Sequence, residues 1–514
     1  MMKSRWVTRP TLALAAAMTM LFSAVSLRAD GNAVAGPADD GTLAALIKIA
    51  GQGEMNSHAF QFLTELSDDV GARVTGSPAA LKAQDWGAAK MRSVGLQNVH
   101  LEKFTIWKGW TRGKAEAELL TPVQHKLHVD SMGWTGSTPA GGVDADIILV
   151  NLNDIDNEIK NVARLKGKIA LVTAKGKSAQ TGIQRFVAFA DFLRAAAPVG
   201  LVAVIGGQGG GKSQGMNLTH TGILGFNADF TLPVVSMTFE DQGQLERYLE
   251  RGITPRARIN IQNTFSNGPV ETANVVGEIP GREHPEQIFV VGGHLDSWDL
   301  AEGTTDNGSG SSVTLAAADA IVRSAERPRR TIRFVLFTGE EQGIDGSRAY
   351  IKQHQAEMQN HLGDLILDTG QGLVTGFQLG GRDDLISVFQ PFADSLKNIA
   401  DLTVDDKVET GTDTLPFSIA GLPGINMKQD TSEYRYTHHS QADALEAQKP
   451  EVLTLNSTLM ALAAFWIADR PDRLASPWPA DRTAQMLRTQ HLEEELRAFQ
   501  MWPFSAGAAE QPTP

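Results

Sequence analysis

The sequence predicts an α/β protein: a doubly wound, mainly parallel (mixed) sheet with helices on both faces, carrying an inserted β-rich segment. Three observations predict it. After Gly268-Pro269, short apolar strands alternate with helix-length segments, the rhythm that parallel sheets with helical crossovers require. Between Trp107 and about Thr264 the chain is instead rich in short strands separated by turn residues. Finally, 514 residues exceed one compact domain, and 42 % hydrophobic with 20 % charged residues is the composition of a packed chain.

The elements follow in order. Lys3, Arg5 and Arg9 precede an uncharged run from Pro10 to Leu27 that ends in small residues at Ala24–Ala29. Residues 1–29 therefore read as a secretory signal peptide cleaved near Ala29, and the mature protein is expected in the periplasm or outside the cell. From Thr42 a helical pattern runs to about Leu66. Ser77 and Pro78 then supply the N-cap and first position of a second helix, which Gly95 stops. Val99–Phe104 alternates as a strand. Residues 40–106 thus form the first part of the main unit, and residues 107–268 the insertion. In the insertion, Asp146–Val150, Lys168–Val172, Gly200–Ile205 and Pro233–Met237 read as strands, and about Ile183–Ala197 and Glu240–Glu250 as helices.

Residues 269–470 return to the main unit. Its strands are Gln287–Val291, Thr331–Phe337, Asp364–Leu367 and Ile425–Lys428. The intervening helices are Gly308–Glu326, Gly346–Gln359, Leu385–Ile399 and Pro450–Ala468. Residues 471–514, rich in Pro and Ala, read as a peripheral extension. After the signal segment no stretch reads as both long and apolar enough to span a bilayer.

Composition excludes several functions. Forty-six bases against fifty-nine acids give a net charge of −13, which disfavours nucleic acid as a partner. The absence of cysteine removes disulfides, thiolate metal sites and Cys nucleophiles at once. A metal here must sit on His and carboxylates.

Such residues stand where a doubly wound sheet collects its functional groups, at the carboxyl ends of strands. His294-Leu295-Asp296 follows the first strand, and Asp306-Asn307-Gly308 precedes the next helix. Glu340-Glu341 follows the second strand and Asp368 the third. His438-His439 come later, with Asp443 four places beyond His439. Singly, each has an ordinary reading as a turn, cap or solvated loop. Together they supply what a two-zinc hydrolase needs: a shared carboxylate between the ions, a His and a further carboxylate for each, and one carboxylate left to take a proton from water.

On these residues the chain resembles the co-catalytic di-zinc exopeptidases of the aminopeptidase Y and glutamate carboxypeptidase family, within it the plasma glutamate carboxypeptidase branch. The resemblance runs from about Ala44 to Ala468. It implies two Zn²⁺ per chain, one held by His294, Asp306 and Asp368 and the other by Asp306, Glu341 and His439. Asp306 would bridge, Glu340 would be the general base, and Asp296 would orient His294. The substrate implied is a small peptide, with a free N-terminus the leading expectation and carboxypeptidase action the alternative. Relatives are commonly homodimers. Many also carry a tyrosine directly before the second histidine to steady the oxyanion. His438 fills that place here and Tyr436 lies two residues earlier, so both are candidate oxyanion or substrate contacts.

The insertion has its own likeness. Lys166–Val172, the helix reaching Ala195-Ala196-Ala197, and Leu232–Ser236 resemble a protease-associated domain. Its loop Gly206–Ser213 reads G-G-Q-G-G-G-K-S and matches a phosphate-loop pattern, while Gly211-Lys212-Ser213-Gln214-Gly215 matches a nucleophile elbow. Both patterns need a helix directly afterwards, and Gln214–Thr219 has no helical period. A single-zinc glutaminyl cyclase and a zinc-free receptor share the resemblance, but the complete ligand set argues against both. The loop at Gly411-Thr412-Asp413-Thr414 is expected either to line the pocket or to cap a short helix.

Overall fold

A computed structural model describes residues 40–174, 182–206 and 232–504. The expected signal peptide and the glycine-rich loop beyond Gly206 lie outside the described residues.

The main sheet has eight strands in the order Gln97–Ile106, Val270–Ile279, Arg330–Phe337, His284–His294, His361–Ile366, Gly424–Gln429, Val374–Gln378 and Thr403–Asp405. Its centre is parallel: His284–His294 pairs in parallel with Arg330–Phe337 and His361–Ile366, and the latter with Gly424–Gln429. Antiparallel neighbours flank this centre. Successive side chains of a strand face opposite ways, so the sheet feeds two cores. Val275, Phe334 and Leu336 face helices Asp40–Asn56, Pro78–Ser93, Ser309–Arg323 and Pro450–Asp469. Val276, Val335 and Phe337 face the opposite layer, with Tyr350 and Phe417. Arg330–Phe337 is buried on both faces along its whole length, its two arginines paired with Gln287 and Glu278.

Local signals set several ends. Ser77 accepts a hydrogen bond from the Ala80 amide at 3.1 Å, with Pro78 opening the helix. Gly95 follows the helix at φ +92°, a conformation that spares glycine a steric penalty. Pro450–Asp469 is, contrary to the sequence expectation, long and apolar enough to cross a membrane. Its most apolar stretch is 78 % buried, packed against Asp40–Asn56 and Ser309–Arg323, so its apolar surface is consumed by the core.

The second eight-stranded sheet belongs to the inserted β-rich domain, with a parallel run of Val143–Asn151, Ile169–Thr173, Ala203–Gly206 and Val234–Met237. One of its cores does not stop at the insertion. Trp110, Trp134 and Phe192 pack in one cluster with Val74, Ile106 and Trp298 of the main unit.

Three expectations change. The pattern from Thr42 to Leu66 splits into Asp40–Asn56 and Ala59–Glu65. The tail is not peripheral: Leu487 and Leu496, on helices Ala480–Thr489 and Glu493–Ala498, are fully buried against Ile344 and Leu415. Strands Val374–Gln378 and Thr403–Asp405, like Val270–Ile279, were not expected from the sequence. Gly376 interrupts the first because a Cβ there would overlap Thr403, and the second is three residues long.

Candidate active site

His294 is the last residue of its strand, and Asp368 lies two residues beyond the neighbouring parallel strand His361–Ile366. Asp306 approaches from the turn before helix Ser309–Arg323. That helix can begin directly under the strand ends because Gly310 has no side chain; a Cβ there would overlap Leu367 O and Asn307. Glu340 and Glu341 follow strand Arg330–Phe337. His438 and His439 come from an irregular loop after Gly424–Gln429, where His439 itself adopts φ +51°.

These side chains converge. His294 Nε2 lies 3.2 Å from Asp306 Oδ1 and 3.1 Å from Asp368 Oδ1. His439 Nε2 lies 3.2 Å from Asp306 Oδ2 and 2.9 Å from Glu341 Oε2. Asp306 therefore offers one oxygen to each histidine. Ligand atoms about 2.0–2.1 Å from a tetrahedral zinc would stand about 3.3–3.4 Å apart, close to these separations. Moreover, His294 Nε2, Asp306 Oδ2 and Glu341 Oε1 are buried without a hydrogen bond. Orphaned buried polar atoms are costly unless something pairs them, and a cation shared among them would do so. His294, Asp306 and Asp368 form one triad able to hold a metal; Asp306, His438 and His439 form another. The residues fit zinc on both sides of Asp306.

Glu340 stands apart. Its Oε2 is 3.9 Å from His294 Nε2, and at 13 % side-chain exposure it is more open than Glu341 at 1 % or Asp368 at 3 %. A carboxylate beside the cluster, reachable from outside, suits a proton acceptor better than a ligand.

Buttressing explains how the cluster keeps its shape. His294 Nδ1 is 3.0 Å from the backbone carbonyl of Asp296 and 3.5 Å from its carboxylate Oδ1. The carboxylate of Asp296 accepts from Thr75 Oγ1 at 2.7 Å, from the Glu340 amide at 3.3 Å and from the Glu341 amide at 3.4 Å. Asp296 thus orients the Glu340-Glu341 turn as much as His294. Asp443 does the same for Asp306: it accepts from the amides of Thr305 and Asp306 and from Thr304 Oγ1. Arg73 is fully buried and donates to the carbonyls of Leu295, Glu302 and Gly303, tying down the loop between His294 and Asp306.

The electrostatics call for positive charge. Burial pushes Glu340 well above its usual range, and Asp368, Glu341 and Asp413 push it further despite His294. Burial and Asp306 raise Glu341 to about 7, although His439 opposes them. Burial alone would lower His439, but Glu341 and Asp306 override it and raise it to about 10. In the protein alone, protons take the place a dication would fill.

Some side chains are not where the sequence suggested. Tyr436 is 42 % exposed and its hydroxyl accepts from Arg435, so it turns away from the cluster. Tyr434 instead packs against Gly370, meets the His438 ring at a tilt with centroids 4.7 Å apart, and has Asp306, Asp368, Glu341 and Asp443 nearby. His438 stays beside the site, its ring 3.9 Å from that of His439 and its Nε2 3.7 Å from Asp306 Oδ2. Asp413 neither lines the pocket nor caps the helix Leu415–Ile419. It is fully buried near His294 and Asp368, and burial raises it to about 7. Sequence reasoning missed Arg73, Tyr434 and Trp298, which lines the small pocket beside Asp306, Glu341 and His439. Asp443 was visible only as a spacing mark.

Comparisons with known proteins agree with this geometry. A family model described as peptidase family M28 matches residues 274–464, which contain every residue of the cluster. Carboxypeptidase Q of Mus musculus is 30 % identical over 436 residues, covering 84 % of this chain and 90 % of that protein. The crystal structure of a peptidase M28 precursor from Shewanella amazonensis superposes with a TM-score of 0.78 at 28 % identity, over 86 % of this chain and all of that one. A zinc aminopeptidase from Bacillus subtilis shares the fold, with a TM-score of 0.62 at 21 % identity over 82 % of this chain and 97 % of that one. With its sheet, its inserted domain and its His–carboxylate cluster in this arrangement, the chain belongs to peptidase family M28 and is a metal-dependent exopeptidase.

Proposed function

We propose that the enzyme cleaves small peptides carrying a free N-terminus, with two zinc ions held on either side of Asp306. The observation that supports this most is the division of Asp306 between two histidines, Oδ1 toward His294 and Oδ2 toward His439. His294 and Asp368 complete one set of ligands; His439 and Glu341 complete the other. Zinc on these ligands would supply Lewis acidity to the scissile carbonyl and to the attacking water.

The chain's own groups do the rest. Glu340 takes the proton of the attacking water at its carboxylate and hands it to the leaving amine. His438, whose Nε2 is 3.7 Å from Asp306 Oδ2, and Tyr434 beside it are the candidate donors to the carbonyl oxygen as it acquires charge. Asp296 and Asp443 hold the base and the bridging carboxylate in register through backbone amides. The preference for a free N-terminus rests on charge. Glu340 and Asp368 stand at the cluster, with Asp413 and the half-buried Glu409 close to Asp368, whereas the buried Arg73 spends its donors on backbone carbonyls. Such surroundings favour an α-ammonium over an α-carboxylate.

We place the mature enzyme outside the cytoplasm, after removal of residues 1–29, with residues 107–268 as the inserted domain. N-terminal sequencing of the exported protein checks the cleavage. The activity is tested by assaying purified enzyme on unblocked dipeptides, N-blocked peptides and C-amidated peptides, with and without chelator. Cleavage of unblocked and C-amidated peptides that a chelator abolishes is the expected result. Cleavage of N-blocked peptides but not C-amidated ones would assign a carboxypeptidase instead.

A further inference from the structure

The loop from Leu295 to Gly303 joins the strand of His294 to the turn of Asp306, and it is also the surface on which the inserted domain sits. Two contacts fix it there. Arg112, just after the short strand Trp110–Thr111, forks onto Asp299: Nε reaches both carboxylate oxygens at 3.0 Å and Nη2 reaches Oδ1 at 2.7 Å. This pair is mostly buried, with side-chain exposures of 9 % and 21 %. A bidentate guanidinium–carboxylate pair fixes orientation as well as distance.

The second contact is a notch. Gly133 of the inserted domain lies so close to the Trp298 ring that a Cβ at Gly133 would overlap it. Trp134 meets Trp298 edge-on at 6.1 Å, and Trp110 stacks behind Trp134 at 5.9 Å. On its far side Trp298 meets the ring of His439, again edge-on, at 6.1 Å. Trp298 is therefore gripped by one domain while it touches a candidate ligand of the other.

We propose that Trp298 is a positioning residue through which the inserted domain sets the ring of His439, and hence the zinc affinity of the Glu341–His439 half of the site. His294 has no need of such a prop. It is the terminal residue of a central strand, wholly buried, with its Nδ1 beside the Asp296 carbonyl. His439 is on an irregular loop at φ +51°, and its ring is packed against those of His438, at 3.9 Å, and Trp298. The inference rests on the two-ion reading above.

Zinc titration of the apoprotein against a competing chromophoric chelator tests it, on the full chain and without recourse to activity. Wild type should bind two ions. Trp298→Ala should weaken one of them about 10–100-fold, as losses of groups behind metal ligands do, and leave the other unchanged. Trp298→Phe, which keeps a ring edge toward His439, should regain most of the loss. Arg112→Met, remote from every ligand, should weaken the same ion by a smaller factor, and added to Trp298→Ala it should have no further effect. In a Glu341→Gln background, where that half is already impaired, Trp298→Ala should also add nothing. If Trp298→Ala does not fold, Arg112→Met carries the test. Unchanged affinities for both ions in Trp298→Ala and Arg112→Met, or equal weakening of both, would overturn the inference while leaving two ions in wild type. A wild-type chain that takes up one ion would remove the two-ion reading itself, and this inference with it.

Discussion

The two halves of the site are built differently. The His294 half is assembled from neighbouring parallel strands: His294 ends one, Asp368 follows the next, and both are buried. The His439 half is assembled from loops: Glu341 sits on a turn held by Asp296, and His439 on a loop held by Trp298 and by hydrogen bonds from Thr437 and His438 to the Tyr434 carbonyl. Asp306 joins them, and its own turn is clamped by Asp443. A sheet fixes ligands through its ladder hydrogen bonds, which few substitutions disturb. Loops depend on individual side chains, so the second half should be the more easily lost.

Substitutions at the junction should have the largest effect. Asp306→Ala should empty both halves and abolish turnover, whereas Asp368→Ala should weaken mainly one ion; metal analysis of the two purified variants distinguishes them. Next, Glu340→Gln should keep both ions and its KM while kcat falls at least about a hundredfold, because the amide keeps the shape and loses the proton acceptor. Glu341→Gln should instead lose the ion of the His439 half. An exchange of these two outcomes, read by kinetics with metal content, would exchange base and ligand.

A smaller effect separates the buttresses. Asp443→Asn should lower zinc affinity about 10–100-fold through the Asp306 turn, and Asp296→Asn should add a fall in kcat because it also holds Glu340; competitive zinc titration and steady-state kinetics read the two. Proton release sharpens the contrast further. With His439 raised to about 10, its proton is present at neutral pH and must leave before a cation can bind. Zinc affinity of the His439 half should therefore increase about tenfold per pH unit for each proton displaced, as read by titration across about pH 6 to 9. Lys212→Ala, in the glycine-rich loop, should leave zinc content and turnover essentially unchanged; ATP hydrolysis or a large loss of peptidase activity would revive a role for that loop.

The central strands and the helices between them were legible in the sequence because doubly buried strands are rich in apolar residues and capped helices announce their starts, as Ser77-Pro78 does. The residues of the cluster were legible because strand ends are where such sheets place their chemistry. The buttresses were not. Arg73 occupies an unremarkable Gly-Ala-Arg-Val segment, and the carbonyls of Leu295, Glu302 and Gly303 that it holds lie more than two hundred residues away. Trp298 acquires meaning only from Gly133 and Trp134, on a different domain. Tyr434 and Tyr436 sit two residues apart on a short helical turn, and only the three-dimensional path shows that the first faces the carboxylates and the second faces solvent. Local pattern reports what a residue can do, whereas these roles depend on which distant residue it meets.

The bridging role of Asp306 is tested most directly by anomalous diffraction from crystals of the zinc-loaded enzyme. Two peaks about 3.5–4 Å apart, one between His294 and Asp368, the other between His439 and Glu341, with an Asp306 oxygen against each, are the expected result. A single peak, or two peaks with Asp306 against one alone, would contradict it.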